Sequence, residues 1–408
     1  MEYKPLGSIV NRKIGYGIVQ PGQSVPNGIP VIKVNNIISG LKSRFDLETT
    51  APDNEAKYSR TRLHGGELII SVVGTIGRTA IVPKSFAGCN LVRATALIDI
   101  GDELLTKWVK YYLDSPYGQS YMEQNLNTTV QPTLNIKSLV DMPIPIPDET
   151  AMKQIVSMLS SLDEKIQVNE AINDNLQQQL TAIFREWFID APESAEWPRG
   201  TFADLIDHTI SGDWGRDAPT GNYTEMVYCI RGADIPEVKA GNKGKMPTRF
   251  ILPKNYAAKK LVDGDIVVEI SGGSPTQSTG RAAPVSDSLL GRYDRGMVCT
   301  NFCKAIKPKR EYGMFVYHYW QHLYDAGVFF GYENGTTGIK NLDINGFVET
   351  EEIVIPPSEI VSRFDAVCQS IANLLYANGF ENERLANIRD TLLPKLMSGE
   401  IDVSDIQR

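Results

Sequence analysis

Along residues 148–190 one face of the chain repeats with a regular step. Ile155, Leu159, Leu162, Ile166, Asn169, Asn173, Leu176, Leu180, Ile183 and Trp187 are spaced alternately by four and three residues. This 3.5-residue period, held over more than four heptads without Gly or Pro, predicts a long helix with a coiled-coil seam. Two asparagines interrupt the apolar seam. Polar seam residues cost stability but fix register and partner.

The same seam recurs 209 residues later: Phe364, Cys368, Ile371, Leu375, Asn378, Asn382, Leu385, Arg389, Leu392 and Leu396. Both asparagines return. Arg389 is the one misfit, and Gly379 is expected to weaken the second helix locally. The two helices are therefore expected to pair antiparallel within one chain, along Leu162, Ile166, Asn169, Asn173 and Leu176 on the first. On the second the matching residues are Ile371, Leu375, Asn378, Asn382 and Leu385.

Outside the helices the pattern changes. Residues 1–147 and 191–355 carry short β-branched runs broken by Gly, Pro and Asn; "IPVIKVNNI" (29–37) and "GELIISVVG" (66–74) read as strands. The repeat extends into these segments. "HGGELIISVVG" (64–74) resembles "VDGDIVVEISG" (262–272), "NTTVQPTLNI" (127–136) resembles "GTTGIKNLDI" (335–344), and "MPIPIP" (142–147) precedes the first helix as "IVIPP" (353–357) precedes the second. The chain reads as a tandem duplication. The expected architecture is α/β (α+β), with globular units at 1–147 and 191–355 and long helices at 148–190 and 356–408. Such internal duplication implies approximate two-fold symmetry.

Composition alters this picture in one respect. The 408-residue chain has net charge −8 and pI about 5.3, which taken whole argues against a nucleic-acid binder. The whole-chain value misleads, because by segment the globular units are nearly neutral. Residues 1–147 are net +3 and 197–355 net −1, whereas 148–196 are net −7 and 356–408 net −3. The negative charge belongs to the helices. Basic residues cluster in the globular units, at Lys57, Arg60 and Arg62, and at Lys239, Lys243, Lys245 and Arg249. Each cluster taken alone reads first as a solvated surface; the functional alternative is two phosphate-facing surfaces held apart by an acidic scaffold. Five scattered cysteines suit a reducing cytoplasm. No apolar run approaches the roughly 20 residues of a membrane helix, and the N-terminus lacks a signal pattern, so no membrane partner is expected.

Catalytic motifs are not found. There is no P-loop and no methyltransferase cofactor loop, and "GYG" (15–17) reads as a turn. Asp263, Asp265 and Glu269 suggest a nuclease cluster but lack the following Lys, so a strand after an acidic turn is the better reading. Cys299, Cys303, His318 and His322 mimic a zinc finger. The matching stretch of the first half has one Cys and no His, so the expectation is a buried strand beside a helix with two surface imidazoles.

"IVSMLSSLDEKIQVNEAIN" (155–173), "AIFREWFID" (182–190) and "LLPKLMSGEI" (392–401), with "GTIGR" (74–78), "SGDWGRD" (211–217) and "TTVQPTLN" (128–135), resemble the specificity subunits of type I restriction-modification enzymes. The resemblance runs the length of the chain; the second "GTIGR" is opened into "SGGSPTQSTGR" (271–281). It implies a non-catalytic subunit with two target recognition domains, each reading one half of a split DNA target. Its partners would be double-stranded DNA, two methyltransferase subunits that carry S-adenosylmethionine, and two ATP-dependent restriction subunits that can join. The chain itself would hold no cofactor and no metal. A helix of about 35 residues spans roughly 50 Å, enough to place two readers one duplex turn apart.

Under that resemblance, base and phosphate contacts are expected from Arg, Lys, Asn and Gln in Gly-containing loops. In the first unit these are Lys33, Asn35, Asn36, Arg60, Arg62, Arg78, Gln131 and Asn135. In the second they are Arg216, Arg231, Lys243, Lys245, Gln277, Arg281, Lys340 and Asn341, with Trp214 as a side chain that could stack or insert, although Trp is more often packed. The rival reading is a coiled-coil adaptor that bridges two protein partners without DNA; salt-dependent DNA binding separates the two.

Overall fold

The computed structural model describes residues 2–38, 40–41, 43–127, 131–274, 277–335 and 339–403. They form two compact units, Met1–Asp163 with Ala386–Arg408, and Glu164–Leu385. Thr128 and Thr129 of "TTVQPTLN", and Thr336 and Thr337 of its repeat, lie outside the described residues.

In the first unit a four-stranded antiparallel sheet runs Arg12–Tyr16, Thr95–Asp99, Leu68–Ser71, Thr79–Ile81. A smaller sheet places Ile29–Ile32 between Thr49–Thr50, antiparallel, and Asn90–Leu91, parallel. The strand Leu68–Ser71 is buried throughout, as its unbroken apolar run requires. Helix Glu103–Asp114 begins at Asp102, whose carboxylate accepts the Leu105 amide hydrogen at 2.7 Å, and it buries Trp108 in the core.

The second unit repeats this plan. Its four-stranded sheet runs Ile206–Ser211, Cys303–Pro308, Ile266–Glu269, Ala282–Pro284. Its smaller sheet places Glu225–Ile230 between Thr248–Ile251, antiparallel, and Met297–Cys299, parallel. Helix Gly313–Asp325 takes the place of Glu103–Asp114. The duplication read from scattered residues thus holds strand by strand.

The long helices are Glu149–Phe184, followed by a π-helical turn at Arg185–Ile189, and Ser358–Ser398. Within the second unit Phe184 packs on Phe364, Asn173 meets Leu375 and Asn378, and Asn169 meets Glu381 and Asn382. Partner numbers fall as the first helix rises, so the pairing is antiparallel. In the first unit Ile155 and Leu159 share a core with Leu393 and Leu396. The seam is uneven: Asn169, Asn173, Leu375 and Asn382 are buried, while Leu162, Ile166, Leu176, Ile371, Asn378 and Leu385 are half-exposed.

Several sequence expectations change. The run at 29–37 ends as a strand at Ile32 and becomes a short helix at Val34–Ile38, because the Asn36 side chain accepts the Lys33 amide hydrogen at 2.7 Å and turns the chain. "GYG" is not a free turn: Gly15 and Tyr16 belong to a strand, and Gly17 lies so close to the Leu91 carbonyl that a Cβ would clash. Arg389 fits its helix after all. It donates to Asp163 at 2.8 Å, and Tyr111 donates to the same carboxylate at 2.8 Å. Gly379 is a packing requirement rather than a weak point, since a Cβ there would sit 2.0 Å from the Gly241 oxygen.

Candidate nucleic-acid interface

Three turns meet at the end of each four-stranded sheet. In the first unit the chain leaves Leu68–Ser71 into "VVGTIGR". This loop closes on Ser71: its carbonyl accepts from Gly77 at 2.9 Å and its Oγ accepts from the Arg78 amide at 2.9 Å. Gly74 and Gly77 both hold positive φ, which glycine adopts without strain. The segment after Gln131 pairs with this loop, Leu134 donating to Val72 at 2.9 Å, and a Cβ on Gly74 would lie 3.3 Å from the Gln131 amide nitrogen. The turn Val92–Thr95 completes the group, since the Val72 amide donates to Ala94 at 2.8 Å. Arg78, Arg93, Gln131 and Asn135 are exposed on these turns.

The second unit builds the same rim with other side chains. Leu342 donates to Ile270 at 2.9 Å as Leu134 does to Val72, and Ile270 donates to Phe302 as Val72 does to Ala94. The opened "GTIGR" counterpart keeps its frame: Gly280 donates to the Glu269 carbonyl at 2.8 Å and Glu269 to the Arg281 carbonyl at 2.9 Å. Arg281 therefore occupies the place of Arg78, but its surroundings differ. Its guanidinium makes two 2.8 Å bonds to the Glu269 carboxylate, which raise its pKa, whereas the first unit has Ser71 there. Gln277 and Asn341 are exposed. Lys340 is paired to Glu333 at 2.7 Å. Burial alone would raise the Glu333 pKa, but Lys340 and the Thr279 amide and hydroxyl outweigh it and hold it low.

Beside this rim runs "SGDWGRD". Gly212 abuts the Thr300 carbonyl without room for a Cβ, and Asp213 donates to Cys299 at 2.8 Å. Trp214 is partly exposed, its ring stacked at 4.1 Å on the buried Arg249 guanidinium. Arg249 also donates to the Trp214 carbonyl at 2.8 Å and pairs with Asp217. Arg216 is exposed and lies 5.3 Å from the Tyr223 ring.

Other sequence candidates sit elsewhere. Lys33 and Arg231 occupy matching places, each giving its amide hydrogen to the side chain three residues on, Asn36 and Asp234. Arg231 is further held by Asp234 at 2.9 Å and by the Lys245 carbonyl at 2.7 Å, while Asn35 and the Lys245 side chain are exposed. Arg62 is paired with the buried Glu55, whose pKa it lowers; Arg60 is exposed nearby. Lys243 lies over the Tyr293 ring at 4.8 Å and 3.7 Å from Glu383 of the second long helix.

Arg93, Asn301 and Phe302 were not singled out in the sequence, yet all three are exposed on the third turn. Their signal was present: "LVRATAL" and "CTNFCKA" each break an apolar strand with one polar or aromatic tip. Arg249 was grouped only with a basic cluster, and its role under Trp214 needed the fold.

The Cys/His and acidic residues singled out in the sequence sit in separate packing and pairing contacts. Among the described residues there is no group of three or more His, Cys, Asp or Glu arranged for a metal. Cys299 and Cys303 are buried in one cluster, while His318 packs 5.4 Å from the Phe364 ring in another. His318 is buried, not a surface imidazole as expected. Asp265 pairs with Lys307, Asp263 accepts the Asp287 amide at 2.9 Å, and Glu269 holds Arg281. No helix among the described residues is long and apolar enough to cross a membrane.

Residues 1–178 match the type I restriction modification DNA specificity domain. The chain is 28% identical over 204 residues to the EcoBI specificity subunit of Escherichia coli, a match covering 46% of this chain and 43% of that protein. It is 24% identical to the MjaIX specificity subunit of Methanocaldococcus jannaschii, covering 75% of this chain and 71% of that one. The structure of a type I restriction-modification S subunit from M. genitalium superposes with a TM-score of 0.52 at 14% identity, covering 97% of this chain and 95% of that one.

Proposed function

We propose that this chain, similar over residues 1–178 to the type I restriction modification DNA specificity domain and over most of its length to specificity subunits, is such a specificity subunit and reads a bipartite, asymmetric DNA target, one half-site per unit. The observation that carries this reading is the pair of matched rims. One frame is built twice, with Arg78, Arg93 and Gln131 exposed on the first and Gln277, Asn301, Phe302 and Asn341 on the second. Arg and Gln suit guanine and adenine edges, and an exposed Phe suits a base face or a thymine methyl. Equal frames with unequal side chains should read unequal sequences. The chain acts in the cytoplasm as a non-catalytic subunit. Two methyltransferase subunits dock on it and supply S-adenosylmethionine, restriction subunits join them, and the long helices set the half-site spacing.

The test is DNA binding by the chain assembled with methyltransferase subunits, followed over salt concentration, with methylome sequencing of cells that express the set. Affinity should fall linearly on a log–log salt plot, and methylation should mark one asymmetric two-part motif. Salt-independent assembly without DNA binding would favour the adaptor reading. A seven-residue insertion between Asn175 and Leu176 keeps the heptad phase and adds roughly 10 Å of helix. It should lengthen the spacer while leaving the half-site bases unchanged.

A further inference from the structure

The first strand of each four-stranded sheet ends in the same way. Gly17 follows Arg12–Tyr16 and abuts the Leu91 carbonyl, and Gly212 follows Ile206–Ser211 and abuts the Cys299 and Thr300 carbonyls, neither with room for a Cβ. The next residue donates to the start of the third turn, Ile18 to Leu91 at 2.7 Å and Asp213 to Cys299 at 2.8 Å. The turns match as well, Thr95 donating to Val92 and Cys303 to Thr300, both at 2.9 Å. Val19 and Trp214 therefore hold one place in the repeated frame, beside the turns that carry Arg93 and Phe302. Both are exposed, at 47% and 37%. Trp214 is also held rigidly. The Gly215 amide donates to the Asp213 carboxylate at 3.0 Å, Asn255 donates to the same carboxylate at 2.7 Å, and Arg216 and Phe250 exchange two 2.9 Å backbone bonds. The chain is thus tied on both sides of the indole, and the buried Arg249 backs the ring at 4.1 Å.

We propose that Trp214 stacks on a base of the second half-site whose face is exposed by opening one step of the bound duplex, while Val19 makes only an edge contact in the first half-site. This inference rests on the DNA reading proposed above. A single exposed apolar side chain needs no explanation; the same place left exposed in both units, on the reading rim, does. Base pairs inside a duplex show their edges in the grooves and not their faces. A ring gains its stacking contact only where a step is opened, as apolar wedges do in kinked DNA. Trp214 has a face to offer, and its fixed backbone and Arg249 support leave little freedom to lose on binding. Arg216, exposed two residues on, supplies a cation for the phosphates flanking that step. Val19 has no ring, and its branched methyls suit a thymine methyl.

The experiment follows binding of the chain, assembled with methyltransferase subunits, to duplexes carrying the motif that methylome sequencing defines. Trp214→Leu should bind at least about tenfold more weakly, and the ring-retaining Trp214→Phe within about threefold of the parent. The log–log salt slope should be unchanged in both, because an indole neutralises no phosphate. A mispair moved step by step along the site should tighten binding by the parent at one step of the second half-site, where opening then costs less, and at none of the first. That gain should vanish in Trp214→Leu. Thermal unfolding checks the variants; if Trp214→Leu does not fold, the mispair scan on the unaltered chain decides alone. The proposal is overturned if folded Trp214→Leu binds like the parent, if Trp214→Phe loses as much as Trp214→Leu, if the salt slope falls, or if no mispair in the second half-site tightens binding. Failure of Trp214→Leu to assemble with the methyltransferase subunits would make the ring a protein contact and overturn it too. A parent complex that does not bind DNA sinks the DNA reading and this proposal together, whereas a parent that binds no better than Trp214→Leu sinks this proposal alone.

Discussion

Asn378 donates a 2.8 Å hydrogen bond to the side-chain oxygen of Asn173, in the seam between the two long helices. Asn173 in turn donates to the Leu375 carbonyl at 3.0 Å and to the Ala240 carbonyl at 3.1 Å. Polar seam groups that satisfy each other specify register; the same groups left alone are a penalty. Asn173→Leu should therefore destabilise the second unit by about 1–3 kcal/mol in urea denaturation. Asn173→Leu with Asn378→Leu should cost less than the two single changes summed, because no amide is then stranded. Additive losses would mean that the two asparagines are not coupled.

Gly379 discriminates between two physical expectations. If it merely weakens the helix, Gly379→Ala should stabilise by about 1 kcal/mol. The contact with Gly241 demands the opposite sign, since the added methyl meets backbone and overpacking costs about 1–3 kcal/mol. A lower unfolding midpoint for Gly379→Ala is the expected result.

Arg78 and Arg281 occupy one place in the repeated frame but should respond differently to loss of charge. Arg281→Ala leaves the buried Glu269 carboxylate unpaired and should lower stability by roughly 3 kcal/mol. Arg78→Ala, on an exposed tip, should leave thermal unfolding within about 0.5 kcal/mol of the parent. It should weaken DNA binding by the methyltransferase complex and flatten its salt dependence by about one unit of slope. Equal stability losses would show that the Glu269 pair contributes little.

Acid should act on the second unit through His318. Its folded pKa is pushed down to about 3 from 6.5, chiefly by burial. As pH falls below 6.5 the unfolded chain takes up a proton that the folded chain refuses until about 3. Stability from this group is lost across that window, by about 1.4 kcal/mol per pH unit. The His318→Gln chain should show a shallower decline in denaturation midpoint from pH 6.5 downward. Parallel profiles would clear His318.

The helices and the duplication were legible because a 3.5-residue period needs only residue type and spacing. Asparagines recurring at the same seam positions add a register mark. The misfit at Arg389 was visible, but its reason was not, because Asp163 and Tyr111 lie on other elements. Gly379 was misread for the same cause: helix propensity is local, whereas its contact is with a loop 138 residues away. At the rim, "GTIGR" and its opened counterpart were correctly aligned. Sequence does not say that Glu269 faces one arginine and Ser71 the other, which decides which of them is free. Arg93 and Phe302 were passed over because their turns are too short to form a motif.

The cross-bonding of the four asparagines has one more consequence. Asn169 pairs with Asn382, the repeat of Asn173, while Asn173 pairs with Asn378, the repeat of Asn169. The two bonds are one contact made twice, the isologous arrangement of a homodimer. A half-length chain with a single such helix already carries both sides of that contact and would meet a second copy of itself through it. The covalent link between the halves then contributes less to how the helices recognise each other than to letting the two rims diverge while the shared seam is kept.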